Sequence, residues 1–357
     1  MISKDNFTKE HIENLRSQNN NAPSLLEKSV YAFGLLEAIQ RVGMPFIFKG
    51  GTSLLLILDK PLRLSTDIDI IVPPGTDVDH YIAEAGRIFP FLHSEEDVRI
   101  GLNKIEKRHY RFFYQSPLTG KEFNILLDMV FEDNPYNTVT DHPIQNDLLI
   151  TEGENLSVQI PSINCILGDK LTAFAPHTTG IPLGIGKDLE VIKQMYDCAT
   201  LFQAMNDFSE VKEVYGNVVQ KELGYRRLSL RKEDVLADTI KSCFCIMGRG
   251  SINKDEYPAY SDGITRIQGH IFSGSFNGEW AGVRAASVLY LASAILNGQD
   301  VNISAQNNNS EFGNINRVKH IRRIKYIQKI DSVAYGYIEN TYRMLGESFF
   351  SKNLQLD

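Results

Sequence analysis

The chain has 357 residues, 43% of them hydrophobic and 23% charged, which is the composition of a folded globular protein long enough for two domains. Its 44 acidic residues outnumber its 37 Lys and Arg, and the net charge of -7 argues against attraction of the whole surface to nucleic acid or anionic lipid. The four cysteines are too few and too scattered for a disulfide framework, there is no secretory signal, and no apolar run approaches the roughly 18 residues of a membrane span. We therefore expect a cytoplasmic protein that does not bind membranes.

The first predicted element is an amphipathic helix from Ser24 to about Val42, where apolar residues recur at helical spacing. Ser24 followed by Glu27 predicts a capping box, and Gly43 predicts the end of the helix. The segment PFIFKGGTSLLLILDK then predicts a short strand, a glycine turn and a second helix.

The next elements form the rest of a small sheet. DIDIIV predicts a strand, because Ile alternates with Asp until two prolines end it, and a helix is expected over 77–90. Residues 109–115 and 122–131 predict an antiparallel pair joined by the turn SPLTGK. Beyond about residue 160 helical periodicity takes over, and we predict helices over 189–205, 233–246, 281–296 and 329–349, with an exposed loop over 304–314.

Two carboxylates stand out in the predicted strand DIDIIV. Asp67 and Asp69 project from the same face, because side chains alternate along a strand with a period of two. Two like charges this close raise one pKa unless a cation neutralises them, and Mg²⁺ readily takes carboxylate oxygen. Taken alone, an Asp-x-Asp pair also fits an ordinary solvated strand face.

A third acid favours the interpretation of Asp67 and Asp69 as a metal site. Asp128 lies in FNILLDMVF, an apolar strand in which a lone buried carboxylate is costly. If this strand lies beside DIDIIV, three carboxylates converge in the arrangement that holds two metals for phosphoryl transfer. The alternative is that Asp128 caps the strand or pairs with a nearby arginine such as Arg111.

The glycine turn offers an anion site. Gly50 and Gly51 precede Thr52, Ser53 and an apolar helix, so that backbone N–H groups and a helix N-terminus can approach a polyphosphate. The spacing is neither that of a Walker loop nor that of a dinucleotide fingerprint.

Together these segments resemble a known family. FKGGTSLLLILDKPLRLSTDIDIIV is similar to the signature of the AbiEii/AbiGii nucleotidyltransferase toxins, within the DNA polymerase β-like nucleotidyltransferase superfamily. The matching residues are Gly50, Gly51, Thr52, Arg63, Ser65, Asp67 and Asp69. The resemblance implies that Asp67 and Asp69 bind Mg²⁺, that Gly51 and Thr52 hold the NTP phosphates within this nucleotide-binding segment, and that Asp128 is the third acid and a metal ligand.

The family also carries a downstream lysine and then an aspartate. The resemblance assigns the lysine to Lys170, which would act as a point charge near the triphosphate, although a solvated helix lysine is the alternative. For the aspartate, KQMYDCATL favours Asp197, whereas Lys187 and Asp188 resemble the family's basic-acidic pair.

Basic clusters offer a possible RNA contact on an otherwise acidic chain. One runs from 317 to 329 with Tyr326 interleaved, and the other comprises Lys104, Lys107, Arg108 and Arg111. Each could follow a phosphate backbone, and each is equally consistent with a solvated surface.

We therefore predict an α+β fold: a nucleotidyltransferase domain over 1–160, with a small mixed β-sheet flanked by helices, and an α-helical domain over 161–357 that completes the active-site cleft. The expected reaction moves an NMP from an NTP to an acceptor hydroxyl with the help of two Mg²⁺ ions. The resemblance implies the tRNA 3′ end as acceptor and a toxin with a winged-helix antitoxin as partner. The alternatives are transfer to a small molecule or a protein, and a catalytically silent nucleotide-binding module.

Overall fold

The computed structural model describes residues 1–19, 21–98, 106–301 and 319–353. Two compact units are present. The first comprises Met1–Ser162 with Gly269–Gly274, and the second comprises Ile163–Gln268 with the chain from Ser275 onward.

Among its described residues, the first unit contains a five-stranded mixed sheet and four α-helices. In chain order its elements are α1 (Lys9–Gln18), α2 (Pro23–Arg41), β1 (Ile47–Lys49), α3 (Gly50–Ile57), β2 (Ile68–Val72), α4 (Asp79–Ala85), β3 (His93–Glu96), β4 (Lys107–Gln115), β5 (Glu122–Phe131), β6 (Val139–Pro143) and β7 (Ser157–Pro161). The strand order is β1-β2-β5-β4-β3, with β2 and β5 parallel and the other neighbours antiparallel. Strands β6 and β7 form a separate hairpin.

The two faces of the sheet differ in chemistry because side chains alternate along each strand. The face against α2 is apolar: Tyr114 stacks on Tyr31 of α2 with ring centroids 3.7 Å apart, and Ile68 and Leu127 are fully buried. The opposite face therefore carries the residues at the intervening positions, among them Asp69 and Asp128.

The second unit is helical among its described residues. Its elements are α5 (Ile163–Ala173), α6 (Asp188–Ala204), α7 (Phe208–Tyr225), α8 (Lys232–Gly248), α9 (Tyr257–Ile267), α10 (Gly278–Asn297), α11 (Lys319–Ile324), α12 (Tyr326–Ile330) and α13 (Ser332–Asn353), the last broken at Gly346. Helix α10 is central: Ala285, Ala286 and Leu289 have no exposed surface, and it packs against α6, α8 and α13. None of the helices in the described ranges is long and apolar enough to span a bilayer.

The predicted fold class is confirmed: a small mixed sheet flanked by helices is followed by a helical region. Gly43, with φ of 73°, ends α2 as predicted. The capping box is wrong, because α2 begins at Pro23 with Ala22 as an N-cap that makes no side-chain bond. Glu27 is instead buried and accepts hydrogen bonds from the hydroxyls of Tyr114 and Ser116, at 3.0 and 2.9 Å.

Two other predictions need correction or stay open. The helix expected over 77–90 is shorter and spans Asp79–Ala85. The glycine that follows it, Gly86, lies against Ser94 of β3, where a Cβ would come 2.7 Å from the Ser94 hydroxyl oxygen. The loop predicted over 304–314 lies outside the described residues.

Candidate active site

Asp69 and Asp128 are direct neighbours on the sheet. They are paired in register across the parallel strands β2 and β5, so their Cα atoms are about 4.8 Å apart and their side chains leave the same face. Asp67 precedes β2 by one residue and is two residues before Asp69. The structure therefore places Asp69 and Asp128 side by side on one sheet face, with Asp67 just before the strand that carries Asp69.

Gly50 lies against the Asp69 side chain. Because β1 runs antiparallel to β2 with Lys49 opposite Asp69, helix α3 begins beside the Asp69 side chain. Gly50 has φ of 81°, and a Cβ at this position would lie 2.0 Å from Asp69 Oδ2. A glycine is therefore required here both by backbone conformation and by the position of the carboxylate.

Gly51 is packed against the Arg-x-Ser segment. A Cβ on Gly51 would lie 2.8 Å from Arg63 Nη2 and 2.8 Å from Ser65 Oγ. Arg63 is buried, and its Nη1 donates a hydrogen bond to the Leu64 carbonyl at 3.0 Å. The glycine turn and the polar side chains of the predicted nucleotide-binding segment are thus brought together.

The hydroxyls that follow the glycines are directed into the protein. Thr52 Oγ1 donates to the Asp67 carbonyl at 2.5 Å, and Ser53 Oγ donates to the Gly50 carbonyl at 2.9 Å. Neither residue has exposed surface. Thr52 therefore fixes the backbone of Asp67, and direct contact of these two residues with phosphate stays a prediction.

His109 is a site residue that sequence reasoning missed. Its Nδ1 lies 2.6 Å from Asp128 Oδ1, because His109 on β4 is paired in register with Asp128 on β5. The proposed pairing with Arg111 is wrong, since Arg111 donates to Asp97 at 2.9 Å and lies opposite Leu126. Counting back along the hairpin from its turn would have placed His109 opposite Asp128.

The carboxylates offer the type of donor atom that a divalent cation binds, since Mg²⁺ prefers carboxylate oxygen. Asp67 and Asp69 supply such oxygens beside a glycine that leaves room for the Asp69 side chain. Within the described ranges, however, no three His, Cys, Asp or Glu side chains gather closely enough to hold a metal ion. Magnesium, the two-metal arrangement and Asp128 as a third ligand stay predictions.

A cavity of about 460 Å³ lies at the β1 edge of the sheet. Ile71 lines it, two residues beyond Asp69 on β2, and Ile47 lines it from β1. Its ionisable lining consists of Glu132, Asp133 and Asp141. Because this charge is negative, the cavity does not suit a triphosphate.

In the second unit, Lys170 and Asp197 form a buried ion pair. Lys170 Nζ lies 2.9 Å from Asp197 Oδ2 and donates to Gln194 Oε1 at 3.3 Å. The relative exposures are 7% for Lys170 and 1% for Asp197, so the alternative of a solvated lysine is wrong. Their catalytic roles stay predictions.

The alternative pair, Lys187 and Asp188, lies at the start of α6. Asp188 is buried, and its Oδ1 accepts a hydrogen bond from the Gly184 N–H at 2.7 Å. Lys187 is exposed and forms the N-cap without a side-chain bond. Asp188 thus fixes the loop before α6, and the geometry pairs Lys170 with Asp197.

His177 lies in a turn and is held by two carboxylates. Its Nδ1 is 2.6 Å from Asp238 Oδ1, and its Nε2 is 3.3 Å from Glu256 Oε1. The hydrogen bond to Asp238 raises the pKa of His177 above its ordinary value, against the effect of burial.

The two basic clusters differ. Arg322, Arg323, Lys325 and Lys329 are exposed on α11 and α12, while Arg317 lies outside the described residues. In the second cluster Arg108 is bound to Glu96 and Asp79, and Arg111 to Asp97, so the charge of these arginines is largely matched. Lys104 also falls outside the described ranges.

Comparison with known proteins decides the family. The model of one protein family, described as the nucleotidyl transferase AbiEii toxin of a type IV toxin–antitoxin system, matches residues 35–242, which is more than half of the chain. The chain belongs to the AbiEii nucleotidyltransferase toxin family. It is therefore a nucleotidyltransferase, and the matched range includes the three acids, the glycine turn, Lys170 and Asp197.

Other comparisons give weaker likenesses. No match was found among the curated proteins. The Helicobacter pylori protein JHP933 is 14% identical with a TM-score of 0.42, covering 76% of this chain and 93% of its own. A candidate nucleotidyltransferase of H. pylori is 15% identical with a TM-score of 0.41, covering 76% of this chain and 96% of its own.

Proposed function

We propose that this AbiEii-family enzyme transfers a nucleotidyl group from an NTP to a hydroxyl of an RNA, with the tRNA 3′ end as the acceptor. The acceptor oxygen attacks the α-phosphorus, a new P–O bond forms, the bond to the β-phosphate oxygen breaks, and pyrophosphate leaves. The observation that carries the proposal is the registered pair Asp69 and Asp128, with the Asp69 carboxylate against Gly50 at the start of α3.

The acids take different roles in this proposal. Asp67 and Asp69 would hold divalent metal, which supplies charge neutralisation at the reacting phosphate and lowers the pKa of the acceptor hydroxyl. Asp128 accepts the proton of that hydroxyl. His109, 2.6 Å from Asp128, fixes the orientation of the carboxylate.

In this proposal the glycine turn, Gly50 and Gly51, binds the nucleotide through its backbone N–H groups. The Thr52 hydroxyl donates to the Asp67 carbonyl, and the Ser53 hydroxyl donates to the Gly50 carbonyl. These two hydrogen bonds fix the start of α3 and the backbone at Asp67 before the substrate binds. Arg63, packed against Gly51, adds a cation close to the turn.

An RNA acceptor is favoured over a small molecule by the exposed cations of α11 and α12. Arg322, Arg323, Lys325 and Lys329 present positive charge on a chain whose net charge is -7, and such a surface attracts a phosphate backbone. Family membership implies an antitoxin, and we propose that this partner is a separate winged-helix protein.

The direct test is incubation of the protein with Mg²⁺, each α-labelled NTP in turn and total tRNA. We expect label in the RNA with at least one NTP. Asp67→Asn and Asp69→Asn should abolish labelling, whereas Asp59→Asn, at an exposed aspartate after α3, should leave it unchanged.

The rival functions give different results in the same assay. Label in protein or in a small molecule, with none in RNA, would overturn the RNA acceptor and keep the transferase. Binding of NTP without label in any acceptor of a cell extract would favour a silent nucleotide-binding module. Labelling that persists in both Asn variants would refute the assignment of the site.

A further inference from the structure

A short segment from far along the chain is part of the first unit. Residues Gly269–Gly274 lie between α9 and α10, and they belong to the first unit although the chain on both sides of them belongs to the second. We call this segment the clasp.

The clasp holds the backbone on both sides of Arg63. The Leu64 N–H donates to the His270 carbonyl at 2.7 Å, and the Phe272 N–H donates to the Leu62 carbonyl at 3.2 Å. Arg63 lies in the connection between α3 and β2, outside the helices and the longer strands. Its backbone position therefore depends on such hydrogen bonds with another segment.

Asn21 fixes the clasp from a third segment, the connection between α1 and α2. Its Nδ2 donates to the Gly269 carbonyl at 2.9 Å and to the Ile271 carbonyl at 3.0 Å, and the residue is only 3% exposed. Ile271 is the residue that forms an isolated antiparallel bridge with Arg63. Loss of the amide would remove both hydrogen bonds and loosen the clasp at the position opposite Arg63.

Arg63 connects this arrangement to the glycine turn. A Cβ on Gly51 would lie 2.8 Å from Arg63 Nη2, so the guanidinium packs directly against the turn at the start of α3. A shift of Arg63 would change both the position of a cation and the surface against which the turn packs. A displacement of about 1 Å in such a group is large enough to weaken its action on a substrate severely.

We propose that Asn21 is a positioning residue for nucleotide binding: through the clasp it holds Arg63 against the glycine turn that receives the triphosphate. The inference rests on the proposed function, in which Gly50 and Gly51 bind the NTP. Asn21 and the clasp both lie outside the range that the family model matches.

The first measurement is the Kd of the full-length protein for each NTP, by equilibrium dialysis with Mg²⁺ and without RNA. We expect Asn21→Ala to raise Kd about fivefold or more for the NTP that binds best. All variants are compared at a temperature where thermal melts show that they are folded.

Asn6→Ala is the matched control in the same unit. Asn6 is also buried, and its Nδ2 also donates to two carbonyls, those of Ser3 and Ile150, at 2.8 and 2.7 Å. Because these hydrogen bonds do not involve the clasp, Asn6→Ala should leave Kd within about twofold of the wild-type value.

A double substitution tests whether Asn21 acts through Arg63. In an Arg63→Met background, the added Asn21→Ala should change Kd by less than about twofold, because the effects of two coupled residues are not additive. A role in folding alone would give the same fold-change in both backgrounds. If Arg63→Met does not fold or binds too weakly to measure, Arg63→Lys, which keeps the charge without the planar fork, takes its place.

Hydrogen exchange reports on the clasp without any nucleotide. The Leu64 and Phe272 amides, which donate across the clasp, should exchange about fivefold faster or more in Asn21→Ala than in the wild type. In Asn6→Ala they should exchange at the wild-type rate. Mass spectrometry of short peptides from the two segments measures both amides.

An unchanged Kd in Asn21→Ala would overturn the proposal, as would unchanged exchange at Leu64 and Phe272 or an equal effect of Asn21→Ala in both Arg63 backgrounds. The wild-type protein tells the two proposals apart. If it labels RNA and its Kd does not depend on Asn21, the positioning role alone is refuted. If it binds an NTP with a Kd that depends on Asn21 but labels no acceptor, the proposed function alone is refuted. If it binds none of the four NTPs, both are refuted.

Discussion

Replacement of Gly50 by alanine would displace the Asp69 carboxylate directly. The new Cβ would lie 2.0 Å from Asp69 Oδ2, and real Cβ contacts are not found below 3.0 Å. The carboxylate must therefore retreat by about 1 Å or more. A displacement of this size in a catalytic group costs about 10²-fold in rate, so we expect Gly50→Ala to lower kcat by about that factor.

The substitution also strains the backbone, and this effect needs its own control. Gly50 has φ of 81°, and an alanine in the left-handed region costs about 1–2 kcal/mol. Gly75 has φ of 78° and a Cβ there would have nothing within 4 Å. Gly75→Ala should therefore show the same strain, with a Tm lower by about 2–4 °C per kcal/mol, and full activity.

The assay compares the two variants at a temperature where circular dichroism shows that both are folded. Initial rates of transfer from α-labelled NTP to tRNA are measured at saturating concentrations of both substrates. If Gly50→Ala retained a rate within threefold of that of Gly75→Ala, the contact with Asp69 would have no catalytic consequence, and the assignment of Asp69 would be refuted.

Three further outcomes concern buried or hydrogen-bonded side chains. Lys170→Met leaves Asp197 buried without its closest cation and should lower the free energy of unfolding by about 3–5 kcal/mol in urea titrations, with partial recovery in Lys170→Met/Asp197→Leu; no recovery would contradict the ion pair. His109→Ala should lower kcat about tenfold without changing KM for the NTP, and His109→Asn, which keeps a donor towards Asp128, should restore most of the rate; equal rates in the two variants would exclude a positioning role. The raised pKa of His177 means that its contribution to stability is complete below the ordinary value of 6.5 and is lost as the pH rises through the folded-state pKa. The difference in Tm between wild type and His177→Gln should therefore shrink from about pH 6 to about pH 9. A difference that stays constant over this range would contradict the raised pKa of His177.

Local patterns were sufficient for most of the elements. The Ile and Asp alternation of β2, the turn between β4 and β5 and the glycine at the end of α2 are all signals carried by adjacent residues. The hairpin of β6 and β7 was missed because VTDHP shows no apolar alternation. Its strands are defined by pairing with each other, which is not a property of either segment alone.

The predictions that were wrong failed because residues distant in the sequence form the contacts. Ser24 and Glu27 fit a capping box, but the Glu27 carboxylate is held by Tyr114 and Ser116, which lie far away in the sequence. Two buried hydrogen bonds to a charged group outweigh one local cap. The same reason places Asp128 against His109 rather than Arg111, because strand register fixes which side chains meet.

By itself, the sequence was sufficient for the fold class and the family, and it predicted Asp67, Asp69 and Asp128 as the acids of the site, since these inferences depend on residue type and short spacing. Only the tertiary structure decided that Asp69 and Asp128 are registered neighbours, that Lys170 pairs with Asp197, and that His109 lies against Asp128. Each of these contacts joins segments that are distant in the sequence. The physical reason is that strand pairing and helix packing, and not local propensity, set the distances over which charges interact.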